Sequence, residues 1–227
     1  MTPELHERIE LLMERQPRVF GANFHGFVLN DPIADWQLDA FERRHCVKLP
    51  EDYRWFISRV GNGGAGPFYG VFPLGSMDDG HEIESWEQES FMVGALSEPF
   101  PHTQEWNDLS GAPDDSLIEL DESAYESQLE TFEERYFSPV NGAIPICHMG
   151  CALRIWLVVT GPERGHLWLD KRAARAGLQP ISERSASSGP AVDRAKEFSG
   201  FLPRWFAVFL PSKRRESRPR IRRPCVP

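Results

Sequence analysis

The sequence predicts an α+β fold built on a single, mainly antiparallel sheet flanked by helices, and three observations carry that expectation. The stretch LPEDYRWFISRVGNGGAGPFYGVFPLG, residues 49–75, encodes a helix, a glycine-rich stop and a short aromatic strand in succession. Three further apolar runs, 143–147, 152–160 and 166–170, are rich in Ile, Val, Leu and Trp, and Gly161-Pro162-Glu163-Arg164-Gly165 turns the second into the third as a hairpin. Phe198, Phe201, Leu202, Trp205, Phe206, Phe209 and Leu210 then recur at helical spacing, which gives a closing helix over 199–210.

Each element has its own justification. Thr2 can cap a first helix, with Pro3 in its first position and Leu5, Ile9 and Leu12 on one face. Residues 16–30 are turn-rich and read as loop, with a short strand near 26–29. A second helix follows Asp31-Pro32 and lines up Ala34, Leu38, Phe41 and His45. Pro50 opens the next helix, 52–60, where a missing N–H costs least, and Glu51 and Asp52 suit the positive end of its dipole. Tyr53, Phe56, Ile57 and Val60 form its apolar face, and Gly61-Asn62-Gly63-Gly64 stops it because Gly and Asn reach positive φ cheaply. Residues 68–74 read as a strand. Residues 77–89, MDDGHEIESWEQE, are too charged for a core strand and read as a surface loop or short helix. Residues 117–120 read as a brief strand. Asp121 or Ser123 then caps a helix carrying Tyr125, Leu129, Phe132 and Tyr136. Residues 182–197 are polar and small, a loop. With no repeat or linker dividing the body, the chain reads as one domain, 1–211, with an acidic insertion at about 76–140 and a basic flexible tail, 212–227. Tyr53, Phe56, Trp168 and Trp205 are expected in the core.

Charge is distributed unevenly. The 227 residues carry a net charge of −9, yet residues 212–227 hold seven basic side chains and one acidic one, or +6, which leaves −15 on the rest. From residue 60 to residue 134 there is no Lys or Arg against eighteen Asp and Glu. Such a body repels nucleic acid and attracts basic partners. The tail is a solvated end, an arm that folds back on the acidic body, or a weak nucleic-acid binder. No apolar run reaches membrane-spanning length, the start MTPELHERIE lacks a signal peptide's basic and apolar regions, and four irregularly spaced Cys argue for reduced thiols. The expectation is a cytoplasmic protein.

The stretch at 49–75 resembles the signature of the SUKH superfamily: LP-x-D/E-Y, an apolar helix, NGG-x-GP, then YG-x-F-P-L. VVTGPERGHLWLD, at 158–170, and the closing aromatic stripe are similar to the family's later elements. The resemblance implies a SUKH-like fold and a binding function. Bacterial members mostly neutralise polymorphic toxins, and a fungal branch scaffolds cell-wall regulation.

No catalytic residue, cofactor or metal is expected. Gly61 to Gly66 follow a helix and precede a strand, the reverse of a phosphate cradle, and no Gly-Lys-Ser/Thr follows. Cys147-His148-x-x-Cys151 offers three ligands where zinc wants four, with only Cys225 elsewhere. His81, His102 and His166 lie among acids and aromatics, but no nucleophile elbow or HExxH accompanies them. Trp86, Phe91, Phe100 and Trp106 either tack the insertion to the core or serve as binding anchors.

The expected function is therefore an immunity protein that binds a cognate secreted toxin domain, such as a nuclease, through an acidic surface that imitates a phosphate backbone. The partner is a protein with a basic surface, not a nucleic acid or a membrane. Its contact is expected on Asp78, Asp79, Glu82, Glu84 and Glu87 around Trp86. The alternative is a non-catalytic regulatory scaffold of the fungal kind.

Overall fold

The computed structural model describes residues 20–78, 83–86 and 92–181, with four positions of a preceding helical stretch, Glu7, Glu10, Leu11 and Glu14. The predicted closing helix at 199–210, with Trp205, and the tail at 212–227 lie outside the described residues.

Leu38 and the Tyr53-Phe56-Ile57 face decide where the first helices go. Beyond the stretch at 7–14, five helices or turns of helix precede the main sheet among the described residues: α1 (Ala22–His25), α2 (Asp35–Arg44), α3 (Glu51–Arg59) and, later, α4 (Leu117–Leu120) and α5 (Glu122–Tyr136). Leu38, Tyr53, Phe56 and Ile57 are all no more than 2% exposed, which is the periodicity of the sequence realised as packing. Between α2 and α3 the buried Glu42 carboxylate accepts bonds from the Leu49 N–H at 3.0 Å and Lys48 Nζ at 2.8 Å, with Arg54 2.9 Å away. Burial works against its charge, but Lys48, the Leu49 N–H and Arg54 outweigh that and hold the acid below its ordinary range.

The main sheet has four antiparallel strands in the order β3 (Ala143–Gly150), β4 (Leu153–Val158), β5 (Leu167–Asp170) and β6 (Leu178–Pro180). Along β4 the residues alternate: Ile155 and Leu157 join the cluster beneath α2 and α3, whereas Trp156 and Val158 join a second cluster with Phe100, Val140, Trp168 and Leu178. Period-2 geometry sends neighbours to opposite faces, and here both faces are covered. That is why the strand runs are apolar throughout rather than alternating in polarity. Trp156 and Trp168 are cross-strand partners and both are fully buried.

Four sequence expectations are corrected. Residues 68–74 do not form a strand; only Val71 bridges, to Gly64 on one side and Cys147 on the other. Pro67, Gly70 and Pro73 interrupt the ladder, and Phe68 adopts φ 53°. Within residues 77–89, positions 77–78 and 83–85 are strand rather than loop or helix, while Trp86 is helical: β1 (Ser76–Asp78) pairs antiparallel with β2 (Ile83–Ser85), with Met77 opposite Glu84. Buried Met77 gives this charged hairpin its hold on the core. Residues 117–120 are helical (α4), and they lead directly into α5 (Glu122–Tyr136), whose N-cap Asp121 accepts a bond from the Ala124 N–H at 3.0 Å. The expected short strand near 26–29 shrinks to one bridge, Leu29 to Gly64.

The glycine stop does more than end α3. Gly64, at φ 93°, bridges to both Leu29 and Val71, and a Cβ there would lie 2.5 Å from the Val28 carbonyl oxygen. Gly64→Ala is expected to cost roughly 1–3 kcal/mol through backbone strain alone, measured as a lower denaturant midpoint. Asn62 secures the same turn by accepting the Leu74 N–H at 2.9 Å.

Candidate functional site

Residues 92–140 cover the second face of the sheet. Their aromatic side chains are what the strands need. Phe100 packs edge-on to Trp168 with centroids 4.8 Å apart, and Trp106 stacks between His102 and Tyr136 at 5.2 and 5.5 Å. The Trp106 backbone pairs with Leu178 through bonds of 2.9 and 2.8 Å, so this segment extends the sheet past β6. Of the four aromatics in question, Trp86 and Phe100 are 4% and 3% exposed and Trp106 is half-buried; Phe91 lies outside the described residues.

A buried ion pair fastens the far end of this segment. The Asp170 carboxylate, at the end of β5, accepts from Arg172 Nη2 at 2.8 Å and Nε at 3.1 Å. The remaining Arg172 nitrogen, Nη1, donates to the carbonyl oxygens of Tyr136 and Ser138 at 3.2 and 2.8 Å, capping the C-terminus of α5. The Tyr136 hydroxyl donates to Asn107 Oδ1 at 2.6 Å and accepts the Gly177 N–H at 3.0 Å. A cation at a helix C-terminus is favoured by the dipole as well. Local spacing of residues gives no hint of this network, because its members come from four separate segments.

Outward, this segment presents acid. On α5, Tyr125, Leu129, Phe132 and Tyr136 turn inward and are buried or half-buried, while Glu122, Glu126, Glu130, Glu133 and Glu134 are exposed. Arg135, the first cation after Arg59, pairs with Asp108 and reaches the Ser110 carbonyl. Asp108 and Asp114 are held below the usual carboxylate range chiefly by the Ser110 and Ser116 hydroxyl and N–H groups, so both stay ionised. Exposed apolar groups sit beside these acids: Leu109 is 40%, Ile118 46% and Leu120 80% exposed.

The expected contact residues fall as follows. Asp78 ends β1, Glu84 is central in β2, and Trp86 follows β2 with its N–H on the Gly75 carbonyl at 3.1 Å. The hairpin therefore brings the backbone of Asp78 and Glu84 onto paired strands. Trp86 turns inward against Phe41, ring centroids 6.1 Å apart, and does not stand exposed among the acids. Asp79, Glu82 and Glu87 lie outside the described residues. Among exposed aromatics that the sequence reading did not single out, Trp36 at the start of α2 is 70% exposed.

The Cys147-His148-x-x-Cys151 triplet is split by strand geometry. Cys147 is buried and its thiol donates to the Pro67 carbonyl oxygen at 3.2 Å, while Cys151 is exposed in the β3–β4 turn. Burial pushes the Cys147 thiol well above its ordinary range, which disfavours the thiolate that a metal ligand must be. Among the described residues no group of three or more His, Cys, Asp or Glu is arranged to hold a metal ion.

His102 carries a pH dependence. Burial, reinforced by the Arg172 charge, lowers its pKa in the folded state. Its contribution to stability is thus fully present above the unfolded value of about 6.5 and is lost as pH falls from there through the folded value. The expected result is a denaturant midpoint that drops below pH of about 6.5, less steeply in His102→Gln.

Among the described residues no helix is long and apolar enough to cross a membrane. Comparison with curated proteins and with solved structures gave no match. The model of the SMI1 / KNR4 family (SUKH-1) matches residues 32–170, from just before α2 to the end of β5, more than half of the chain. Proteins of this family are generally non-catalytic immunity or regulatory proteins, which supports an immunity-type or SMI1/KNR4-like role with a protein as partner. On its helix–glycine–bridge unit, its antiparallel sheet and this match, the chain belongs to the SMI1 / KNR4 family (SUKH-1).

Proposed function

We propose that this protein is an immunity protein, acting in the cytoplasm, that binds and neutralises the effector domain of a secreted polymorphic toxin with a basic working surface. One observation carries the reading: the 60–134 stretch, with eighteen acids and no cation, is built onto the sheet by buried aromatics and the Arg172 clamp. A field of one sign on a rigid mount suits capture of a cationic groove of the kind a nuclease uses for its substrate. Electrostatic steering raises association rates to roughly 10⁸–10⁹ M⁻¹s⁻¹ at low salt, and speed matters when a few toxin molecules kill.

The β1–β2 hairpin, with Asp78, Asp79, Glu82, Glu84 and Glu87, is the preferred contact. Trp86 serves this patch from inside, by fixing the hairpin to the core cluster. The domain that does this work is residues 1–211, with 212–227 as a basic appendage.

Co-purification tests the reading. The protein is expected to retain the toxin domain encoded by the adjacent reading frame and to protect cells that express it. Failure to bind that domain, with binding instead to a housekeeping protein, would favour the regulatory-scaffold role.

A further inference from the structure

This acidic chain carries one face without charge. Residues 20–30, 60–76 and 136–153 hold no Asp, Glu, Lys or Arg, although such residues are 26% of the sequence. The fold gathers a part of each stretch at the Gly150 end of β3. Tyr69 lies beside that strand, its N–H on the His148 carbonyl oxygen at 3.4 Å and its ring stacked on that of His148, centroids 5.3 Å apart. Phe20 and Phe24 pack edge-on against the same tyrosine at 5.3 and 4.6 Å. A Cβ on Gly150 would lie 3.3 Å from the Tyr69 ring and 3.6 Å from the Phe20 ring, so both rings rest on the β3–β4 turn.

The underside of this face is fixed and its top is bare. Ala22 and Phe27 belong to the core cluster, and the Phe27 N–H donates to His25 Nδ1 at 3.0 Å, which pins the loop carrying Phe20, Phe24 and Val28. Yet Phe20 and Phe24 are each 63% exposed and Val28 is 53% exposed. Four of the six non-glycine residues at positive φ among the described residues are also here: Phe27, Phe68, Cys151 and Ala152. Backbone of this kind persists where a site requires its shape. Large apolar groups held in water on a rigid mount mark an interaction surface.

We propose that this face is a self-association surface, on which a second copy of this chain docks through the same residues. Two observations select that occupant. The first is charge. Each copy carries a net charge of −9, so two copies repel wherever their acids meet, and a basic partner gains nothing from a face without acids. Joined here, two copies strip no ion of its water and oppose no like charges at the seam. The second is area. Phe20, Phe24 and Val28 together leave roughly 300 Å² of apolar surface in water. The exposed Asn23, Gly26, Cys151 and Ala152 at the rim raise this to about 500 Å² a copy, or about 1,000 Å² for the pair, the lower bound of a specific interface. The dimer is therefore weak, and it is isologous, because a two-fold axis through the patch brings the same residues together.

The acidic hairpin stays outside the seam. The Phe72 N–H donates to the Ile146 carbonyl oxygen at 2.9 Å, so residues 69–72 run antiparallel to β3, away from its Gly150 end, before the chain enters β1.

Sedimentation equilibrium and amide NMR of the full chain test the proposal, and no toxin is needed. The expected result is a monomer–dimer equilibrium with a Kd of roughly 10–100 μM. Amide shifts that depend on protein concentration should be confined to residues 20–28, 68–70 and 148–152. Because the two bodies repel, the dimer should tighten about threefold as salt rises from about 0.05 to 0.5 M. Phe20→Ser/Phe24→Ser should weaken it by about tenfold or more. Val28→Glu, which sets like charges across the seam without touching the rings, should do the same, with part of the loss recovered at high salt. A chain that stays monomeric at about 1 mM would overturn the proposal. So would a dimer that loosens with salt, undiminished association in both variants, or shifts of these amides only on adding another protein, which would give the face to a different partner.

Discussion

Arg172→Ala is expected to lose about 3–5 kcal/mol of folding stability, the usual cost of stranding one member of a buried ion pair. The side chains of Arg172 and Asp170 are 2% and 3% exposed, so no water replaces the lost guanidinium. Two consequences add together. The Asp170 carboxylate loses the guanidinium bonds from Nε and Nη2, and the carbonyls of Tyr136 and Ser138 lose their shared donor. The second loss frees the C-terminal end of α5 from the sheet. Urea unfolding measures the first effect as a lowered midpoint, and hydrogen exchange measures the second as early loss of protection in α5. Replacing Asp170 and Arg172 together with apolar residues of similar volume should cost much less, since a missing pair leaves no buried charge. An unchanged midpoint in Arg172→Ala would show that the clamp contributes nothing to the fold.

Trp86→Ala is expected to cost about 3–5 kcal/mol as well, by the loss and cavity terms for a large buried aromatic. Trp86 contacts Phe41 from α2 and lies in the same cluster as Met77 of β1. It thereby joins the hairpin to the helical layer. The expected loss appears in denaturant unfolding. In conditions where the variant stays folded, the rate at which a bound toxin domain dissociates should be close to the parent's, because Trp86 has almost no exposed surface to contribute. A tenfold faster dissociation with unchanged stability would return Trp86 to the partner interface.

The sequence made the helices and the main strands legible because their residues sit at the two spacings that burial selects. Tyr53, Phe56 and Ile57 mark the face of α3, and the runs around Ile155 and Leu167 mark the central strands. Three elements escaped for identifiable reasons. Residues 68–74 have the aromatic composition of a strand, but Pro67, Gly70 and Pro73 spoil the ladder while leaving the chain beside β3. The β1–β2 hairpin is dominated by acids, and only tertiary contact through Met77 and Trp86 makes strands of it. Strand β6 is three residues long and ends in Pro180, too short for any period to show.

The candidate site was legible as charge and illegible as geometry. The absence of cations from 60 to 134 is plain in the sequence. Whether Trp86, Phe100 and Trp106 face the partner or the core depends on whether the second face of the sheet has another cover, which composition does not say. In the structure Phe100 and Trp106 are that cover, buried and half-buried, whereas Trp86 is buried in the other cluster, under the helical layer. The Arg172 clamp joins residues 34 and 36 positions apart in sequence, and no local pattern announces such a contact.

Association kinetics with the cognate toxin domain test the central claim most directly, that the acidic insertion is the partner surface. The parent is compared with a variant in which Asp78, Asp79, Glu82, Glu84 and Glu87 become Asn or Gln, over a range of salt. The account predicts association slowed by about 10-fold or more at low salt and a flattened salt dependence, with stability little changed. Equal rates and equal salt slopes for the two proteins would contradict it, and would place the interface on another face of the domain.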